Sequence, residues 1–174
     1  RIDLRFTTTA ELKKATADLL YQRGIPVKGE AFTSSSDRTP LLTLRSTSDR
    51  LFGSKFGRQL PVNISSSIGE MFEPGRDGPL TRINLQLDGS RTDTFGPLTF
   101  TYGSRFEQGL YSDDTAQYLV GYNAQGSLKM FGQSRLNIGY RNHKAVGYTP
   151  LSLDRFGQTD GFSADISLSP LRSL

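Results

Sequence analysis

Hydrophobic and polar residues alternate along most of this chain with a period of two. The clearest stretch is residues 97–128, where Leu98, Phe100 and Tyr102 alternate with polar or small residues. This period is that of an extended strand, because successive side chains point to opposite faces of a sheet. The alternation pauses at the turn-forming Ser-Asp-Asp sequence at 112–114 and then resumes. The stretch therefore predicts an antiparallel hairpin.

The predicted strands are long and widely spaced. Each arm of the hairpin covers roughly ten residues, whereas strands of soluble domains have about 5–6 and membrane-spanning barrel strands need about 9–11. Successive strands begin 16 to 18 residues apart, at Thr81, Pro97, Thr115 and Gln133. Turns in soluble sandwiches recur every 8–12 residues or so. The spacing is therefore typical of long up-and-down hairpins.

The connections between strands also alternate in length. Those at Phe95 and Met130 are tight, whereas those at Gly75, Ser112 and 142–160 are longer. Alternate connections of an up-and-down meander lie on the same side of the sheet. Outer-membrane barrels show the same asymmetry, with short periplasmic turns and longer outer loops.

These patterns predict an all-β fold. We expect an antiparallel up-and-down meander of about ten long strands, part of a transmembrane β-barrel, with residues 1–174 as a single barrel segment. Weaker strands are predicted at 27–36 and 42–49, with a turn at 52–55. Residues 142–160 are predicted to be the longest irregular stretch, followed by a final strand from Phe162.

Residues 10–23 fit two interpretations. Thr8 and Glu11 form a possible capping box, and Gly24 and Pro26 would end a helix. Apolar residues in the same stretch also recur at every second position. Beside so many strands we favour a strand, and a helix is the alternative.

The alternation divides the strands into two predicted faces. The face predicted to line a lumen comprises Arg82, Asn84, Gln86, Asp88, Thr99, Thr101, Arg105, Glu107, Gln117, Asn123, Arg135, Asn137 and Arg141. The face predicted to contact lipid comprises Ile83, Leu85, Leu87, Leu98, Phe100, Tyr102, Phe106, Tyr118, Val120, Tyr122, Leu136, Ile138 and Tyr140. An Arg or Lys facing lipid at the bilayer midplane costs about 2–4 kcal/mol, and Arg82, Arg105, Arg135 and Arg141 fall on the polar face. Aromatic residues near the strand ends fit an interfacial girdle.

Composition narrows the function classes. Mean hydropathy is −0.42 and no run of about 18 apolar residues occurs, so no transmembrane helix is predicted. Strand alternation is nearly invisible to averaged hydropathy. The chain has no Cys, which excludes disulfides and thiolate metal sites. The net charge of +4 is spread along the chain, so nucleic-acid binding is not predicted.

Candidate chemistry is sparse, and we predict no enzyme, cofactor or metal. His143 is the only His; a Ser–His or Asp–His site could use it, but a solvated loop residue explains it better. The pairs Asp113–Asp114 and Asp154–Asp160 could bind a divalent cation at a rim, although turn formation explains them more simply.

Two features of the polar face have alternative explanations. Its arginines, such as Arg82 and Arg105, either attract anions or balance Asp88 and Glu107 along a lumen wall. Glycines occupy the same face of three successive strands, at Gly103, Gly121 and Gly139. They either leave room for a plug or cargo or permit barrel curvature, and we favour curvature.

Two stretches resemble a known family. They are FGPLTFTYGSRFEQGLYSD at 95–113 and SRLNIGYRNHKAVGYTPLSLDRFGQTDG at 134–161, of which 147–155 is the most motif-like part. Both resemble the barrel of the lipopolysaccharide-assembly outer-membrane protein LptD and its relatives. The resemblance implies a large barrel in the bacterial outer membrane that receives lipopolysaccharide from periplasmic bridge proteins. It further implies release into the outer leaflet through a lateral seam, with a plug lipoprotein as partner.

The resemblance covers only part of such a protein. The periplasmic region and the cysteines of that family are missing, and about ten strands are fewer than half of its barrel. The last residues also lack a terminal aromatic strand. We therefore expect an internal fragment of a longer chain, without a signal peptide of its own.

Four functions compete at this stage. The first is lipopolysaccharide export, with lipopolysaccharide or another envelope lipid as cargo. The second is a general porin or an autotransporter-type barrel, which the same strand pattern would serve. The third is a soluble β-sandwich that binds carbohydrate or protein. The fourth and least favoured is an outer-membrane hydrolase that uses His143.

Overall fold

Nine strands form one antiparallel sheet in which every strand pairs with its neighbours in sequence. The computed structural model describes residues 2–25, 37–73 and 78–169. The strands are β1 (Ile2–Glu11), β2 (Thr16–Ile25), β3 (Asp37–Thr47), β4 (Val62–Phe72), β5 (Leu80–Phe95), β6 (Leu98–Tyr111), β7 (Ala116–Lys129), β8 (Arg135–Gly147) and β9 (Thr159–Ser167). Two short helices, α1 (Ser48–Phe52) and α2 (Ser54–Gln59), connect β3 to β4, and a 3₁₀ turn covers Ser152–Asp154.

The all-β antiparallel meander predicted from the alternation is confirmed. Strand lengths run from 9 residues in β9 to 16 in β5. The tenth predicted strand, at 27–36, lies outside the described residues. Within the described part, β1 and β9 each pair with a single neighbour, so the sheet is open there.

Residues 10–23 form the end of β1, a turn and most of β2, so the strand interpretation is confirmed and the helix is wrong. The turn is held by a hydrogen bond in which the Leu12 N–H donates to the Ala15 carbonyl oxygen at 2.8 Å. Strand β2 pairs with β1 on one side and β3 on the other. This pairing outweighs the modest helix propensity of the segment.

Two boundaries differ from the prediction. The expected turn at 52–55 is instead the junction of α1 and α2, where Gly53 has a φ of 94° that favours glycine. The irregular stretch expected at 142–160 is shorter, because β8 continues to Gly147 and β9 begins at Thr159. Asn142 and Lys144 fall on the face of β8 that carries Leu136, Ile138 and Tyr140 and interrupt its alternation, although their backbones still pair with β7.

The strand ends form two rims. One rim, here called the short-turn rim, contains the connections 12–15, 48–61, 96–97 and 130–134. The opposite rim, here called the long-loop rim, contains the described parts of 73–79 and the connections 112–115 and 148–158. The tight turns expected at Phe95 and Met130 are present, and 148–158 is a long loop as expected. The connection at Ser112 was predicted to be longer, and this is wrong, because it is a four-residue turn and thus shorter than the connection 130–134. Gly75 lies outside the described residues. The 48–61 connection, which contains α1 and α2, departs from the prediction that all connections on one rim are short.

No helix in the described ranges is long and apolar enough to cross a membrane.

Candidate functional site on the polar face

Residues paired directly across neighbouring strands point to the same side of a sheet. Asp88 pairs with Arg105, Arg105 with Gly121, and Gly121 with His143. When the pairing is followed in this way from β5 to β8, all thirteen residues predicted to line a lumen lie on one face of the sheet, here called the polar face. The thirteen residues predicted for lipid share the opposite, apolar face. The separation into two faces is therefore observed, and what each face contacts stays a prediction.

Burial on the two faces is the reverse of that in a soluble protein. On the apolar face Val120 and Tyr122 of β7 are 56% and 50% exposed. On the polar face, Glu107 of β6 and Gln117 of β7 are only 7% and 5% exposed. All nine described strands belong to one sheet, so within the described chain no second sheet covers the apolar side.

The β8–β9 loop, residues 148–158, folds across the polar face near the long-loop rim. Leu151 of this loop is 3% exposed and packs in a cluster with Leu41, Met71, Leu80 and Tyr111. These four residues come from β3, β4, β5 and β6. The distance from β8 to β3 is five strand spacings, about 24 Å along the sheet. A loop that leaves β8 and reaches β3 requires the sheet to curve around its polar face.

Hydrogen bonds hold the loop in this position. Thr149 Oγ1 donates to the Tyr111 hydroxyl at 2.8 Å, and that hydroxyl donates to Asp154 Oδ2 at 3.1 Å. The other Asp154 oxygen pairs with Arg82. At the far end, the Ser152 N–H donates to Glu73 Oε2 at 3.0 Å, and the Ser152 hydroxyl bonds the same carboxylate. The loop is thus tied to the ends of three strands.

A second polar network lies deeper along the same face. Arg105 Nη2 donates to Glu107 Oε2 at 2.7 Å, and Arg105 Nε lies 3.7 Å from Asp88 Oδ1. Asn84 Nδ2 donates to Glu107 Oε1 at 3.1 Å, and Gln86 donates to Asp88. Arg105 is therefore balanced by Glu107 and Asp88, as the charge-balance alternative predicted. The same prediction is wrong for Arg82, because the carboxylate that pairs with Arg82 belongs to Asp154.

Several polar atoms of this face remain without a hydrogen bond within the described structure. They are Nε of Arg82, Oδ1 of Asn84, Nε of Arg105 and Oε1 of Gln117, all of them buried. They belong to three adjacent strands, β5 to β7. Buried donors and acceptors of this kind are normally satisfied by water or by a bound polar group. Water or a polar ligand could hydrogen-bond to these atoms.

At each of the three predicted glycines of the polar face, an added Cβ would meet an atom of a neighbouring strand. A Cβ at Gly103 would lie 2.7 Å from the Gly89 carbonyl oxygen and 3.1 Å from Asn123 Oδ1. A Cβ at Gly139 would lie 2.8 Å from the Ser163 hydroxyl, and at Gly121 it would meet the His143 ring. Such crowding is expected on the inner side of a curved sheet, in line with the curvature interpretation.

The structure places the candidate catalytic and cation-binding residues at separate points of the described chain. His143 lies in β8 and not in a loop, and it makes no hydrogen bond to a serine or carboxylate within the described ranges. The Asp113 carboxylate accepts from the N–H and hydroxyl of Thr115, which is the predicted turn geometry. Asp154 is occupied by Arg82, and Asp160 lies in β9. No group of three metal-ligating side chains occurs in the part of the chain that the structure describes.

Sequence reasoning missed the loop anchors Thr149, Leu151 and Asp154 and their partner Glu73. The available signal was the set of apolar residues in this connection, Leu151 among them. Its partners are supplied by strands far away in sequence, so the alternation pattern could not identify them.

No protein-family model, curated protein or solved structure matches this chain. The interpretation of the polar face therefore rests on its own geometry.

Proposed function

We propose that this chain forms part of the wall of an outer-membrane β-barrel that exports lipopolysaccharide, as the resemblance to the LptD family implies. The observation that carries the proposal is the reversed burial of the two faces. Apolar side chains are exposed along the sheet, whereas charged side chains such as Glu107 are enclosed by its curvature. This reversal matches a wall with hydrocarbon outside and a polar lumen inside.

Backbone hydrogen bonding supports a closed barrel over other ways of crossing a membrane. In hydrocarbon no water satisfies strand N–H and C=O groups, so strands cross only when every edge is paired. The edges of β1 and β9 would then pair with further strands. All described strands have at least 9 residues, which is about the length that a tilted membrane strand requires. A β-sandwich would instead bury the apolar face beneath a second sheet.

The polar face suits an amphipathic anionic cargo. Its arginines are partly neutralised by Asp88 and Glu107, so a phosphate-bearing head group would pass along a polar wall without a deep electrostatic trap. The β8–β9 loop narrows this path near the long-loop rim. Export would then be gated passage and not catalysis. A plug lipoprotein and periplasmic bridge proteins are the partners that this function would need.

A general porin is the second candidate, and the inward-folded loop favours it. Leu151 and its anchors place a constriction inside the curved sheet, and the lumen of membrane barrels is either a water-filled channel or plugged by loops. Under this hypothesis the charge-balanced Arg105 network would line a channel for small solutes.

Site-specific photocrosslinking in cells tests the export proposal. A photoreactive residue is placed in the full-length gene product at Asn123 on the polar face or at the adjacent Tyr122 on the apolar face. Export predicts lipopolysaccharide adducts at position 123 that disappear when lipopolysaccharide supply is depleted. At position 122 we expect adducts with bulk membrane lipid that do not follow that supply. Solute permeation without any cargo adduct at position 123 would contradict export and support a porin.

A further inference from the structure

Among the described residues, the two rims of the sheet carry opposite net charge. With one flanking residue on each side, the short-turn rim has seven basic residues and two acidic ones, an excess of five positive charges (7 − 2). These residues are Lys13, Lys14, Arg50, Lys55, Arg58, Lys129 and Arg135, with Glu11 and Asp49. The described long-loop rim, counted in the same way, has Glu73, Asp113, Asp114 and Asp154 against Arg155. The difference is a property of the rims and is not visible in the net charge of the chain.

Most of the positive charge of the short-turn rim is uncompensated. Arg50 is used internally, since it pairs with Glu11 at 3.3 Å and donates to the Leu12 carbonyl oxygen at 2.9 Å. Lys129 and Arg135, both exposed, are direct partners across β7 and β8. Like charges in that position disfavour strand pairing. The remaining basic residues are exposed and form no ion pair within the described ranges, so an external anion would relieve the repulsion.

Large apolar side chains are exposed at the same rim. Phe52 of α1 and Phe56 of α2 are 65% and 42% exposed, and their rings meet edge to face with centroids 5.2 Å apart. Phe95 and Phe131 stand exposed at the two neighbouring turns. Phe95 pairs with Leu98 on the apolar face, so the rim aromatics continue the surface proposed to contact lipid.

We propose that the short-turn rim binds the head-group layer of a membrane leaflet that contains anionic phospholipids. Aromatic side chains prefer the boundary between head groups and hydrocarbon, and Lys and Arg near that boundary attract anionic head groups. Helices α1 and α2 supply both types of side chain within 48–61, which explains why this connection is long on a rim of otherwise short turns. An acidic protein surface would account for the lysines but not for the exposed aromatic residues. The inference rests on the proposed barrel, because a spanning sheet places this rim at the bilayer surface.

Lipid selectivity measures the proposed contact. The full-length gene product is inserted into vesicles of phosphatidylcholine with a phosphatidylglycerol fraction, and the association of spin-labelled phosphatidylglycerol and phosphatidylcholine is compared. The test variant is Lys55→Gln with Arg58→Gln. The control is Arg141→Gln with Arg155→Gln, which removes the same charge away from this rim and from the apolar face. We expect the rim variant to lose about 5- to 30-fold of the preference for the anionic lipid and the control to keep it.

Insertion is scored separately, by the heat-dependent gel shift of the same samples. Normal insertion with equal selectivity in the rim variant and the control would overturn the rim inference and leave the barrel intact. Failure of the unmodified protein to insert into these vesicles would overturn the proposed function and the rim inference with it. Rim-dependent binding of soluble polyglutamate, without any lipid preference, would overturn the lipid assignment in favour of an acidic protein partner.

Discussion

The apolar and polar faces of the sheet differ in what encloses them. On the apolar face, side chains such as Val120 and Phe162 are 56% and 69% exposed. On the polar face, Arg105, Glu107 and Asn84 are connected by hydrogen bonds, and Glu107 is only 7% exposed. Soluble monomers rarely expose apolar patches above a few hundred Å² or so. This difference is the one that the proposed barrel would produce, with apolar surroundings outside the sheet and polar surroundings inside it.

Adjacent residues of β7 give the strongest test of this difference. Tyr122 lies on the apolar face and Asn123 on the polar face. If the apolar face contacts hydrocarbon, Tyr122→Arg lowers the free energy of folding into bilayers by about 2–4 kcal/mol. Asn123→Arg places the same charge in the lumen and costs much less. Denaturant titration in lipid vesicles measures both, and equal losses would contradict the assignment of the two faces.

The loop that covers the polar face depends on one apolar contact. Leu151→Ala removes a buried side chain from the cluster with Leu41 and Met71. We expect the loop to be destabilised by about 2 kcal/mol, the low end for such truncations because the cluster is small. Hydrogen exchange at 149–154 should accelerate accordingly, while β7 keeps its protection. Unchanged exchange in the loop would show that the hydrogen bonds to Tyr111 and Glu73 hold the loop in place without the Leu151 side chain.

Two ion pairs on the polar face differ in how far their carboxylates are exposed, and we expect them to differ in their contribution to stability. The Glu107 side chain is 10% exposed and paired with Arg105, whereas that of Glu11 is 69% exposed and paired with Arg50. Glu107→Gln should cost about 1–2 kcal/mol, less than a fully buried pair because Arg105 is itself partly exposed. Glu11→Gln should cost about 0–0.5 kcal/mol. Equal costs in chemical denaturation would mean that water reaches Glu107 freely.

Glycine substitutions give the smallest of these effects. Gly103→Ala on the polar face would force a Cβ against the Gly89 carbonyl, so we expect a loss of about 1 kcal/mol. Gly126→Ala on the apolar face meets no atom within 4 Å and should change stability by less than about 0.5 kcal/mol. Thermal unfolding of the two variants in the same detergent compares them. A larger loss at Gly126 would indicate that the sheet curves the other way.

The strand order and the two faces were predictable because they depend on local alternation. Residues such as Leu98, Phe100 and Tyr102 specify a face whatever lies beside them. Prediction failed where that signal was interrupted. Asn142 and Lys144 concealed the end of β8, and helices of five and six residues are too short for a periodic pattern. The spacing of Phe52 and Phe56, four residues apart, was the one local sign of helical structure.

The candidate site was predictable in composition but not in its contacts. The sequence places Arg82 and Arg105 on the polar face, and the structure agrees. The partner of Arg82, however, is Asp154, 72 residues away in the β8–β9 loop. A loop that folds inward depends on the curvature of the whole sheet, which no short stretch of sequence encodes.

The central claim is that the sheet is the wall of a membrane barrel. Its most direct test isolates outer membranes that contain the full-length gene product and compares its migration in SDS gels before and after boiling. A folded barrel predicts a protein that stays in the membrane fraction after a high-salt wash and migrates differently once heated. A protein released without detergent, with the same mobility in both samples, would contradict the barrel and both transport hypotheses.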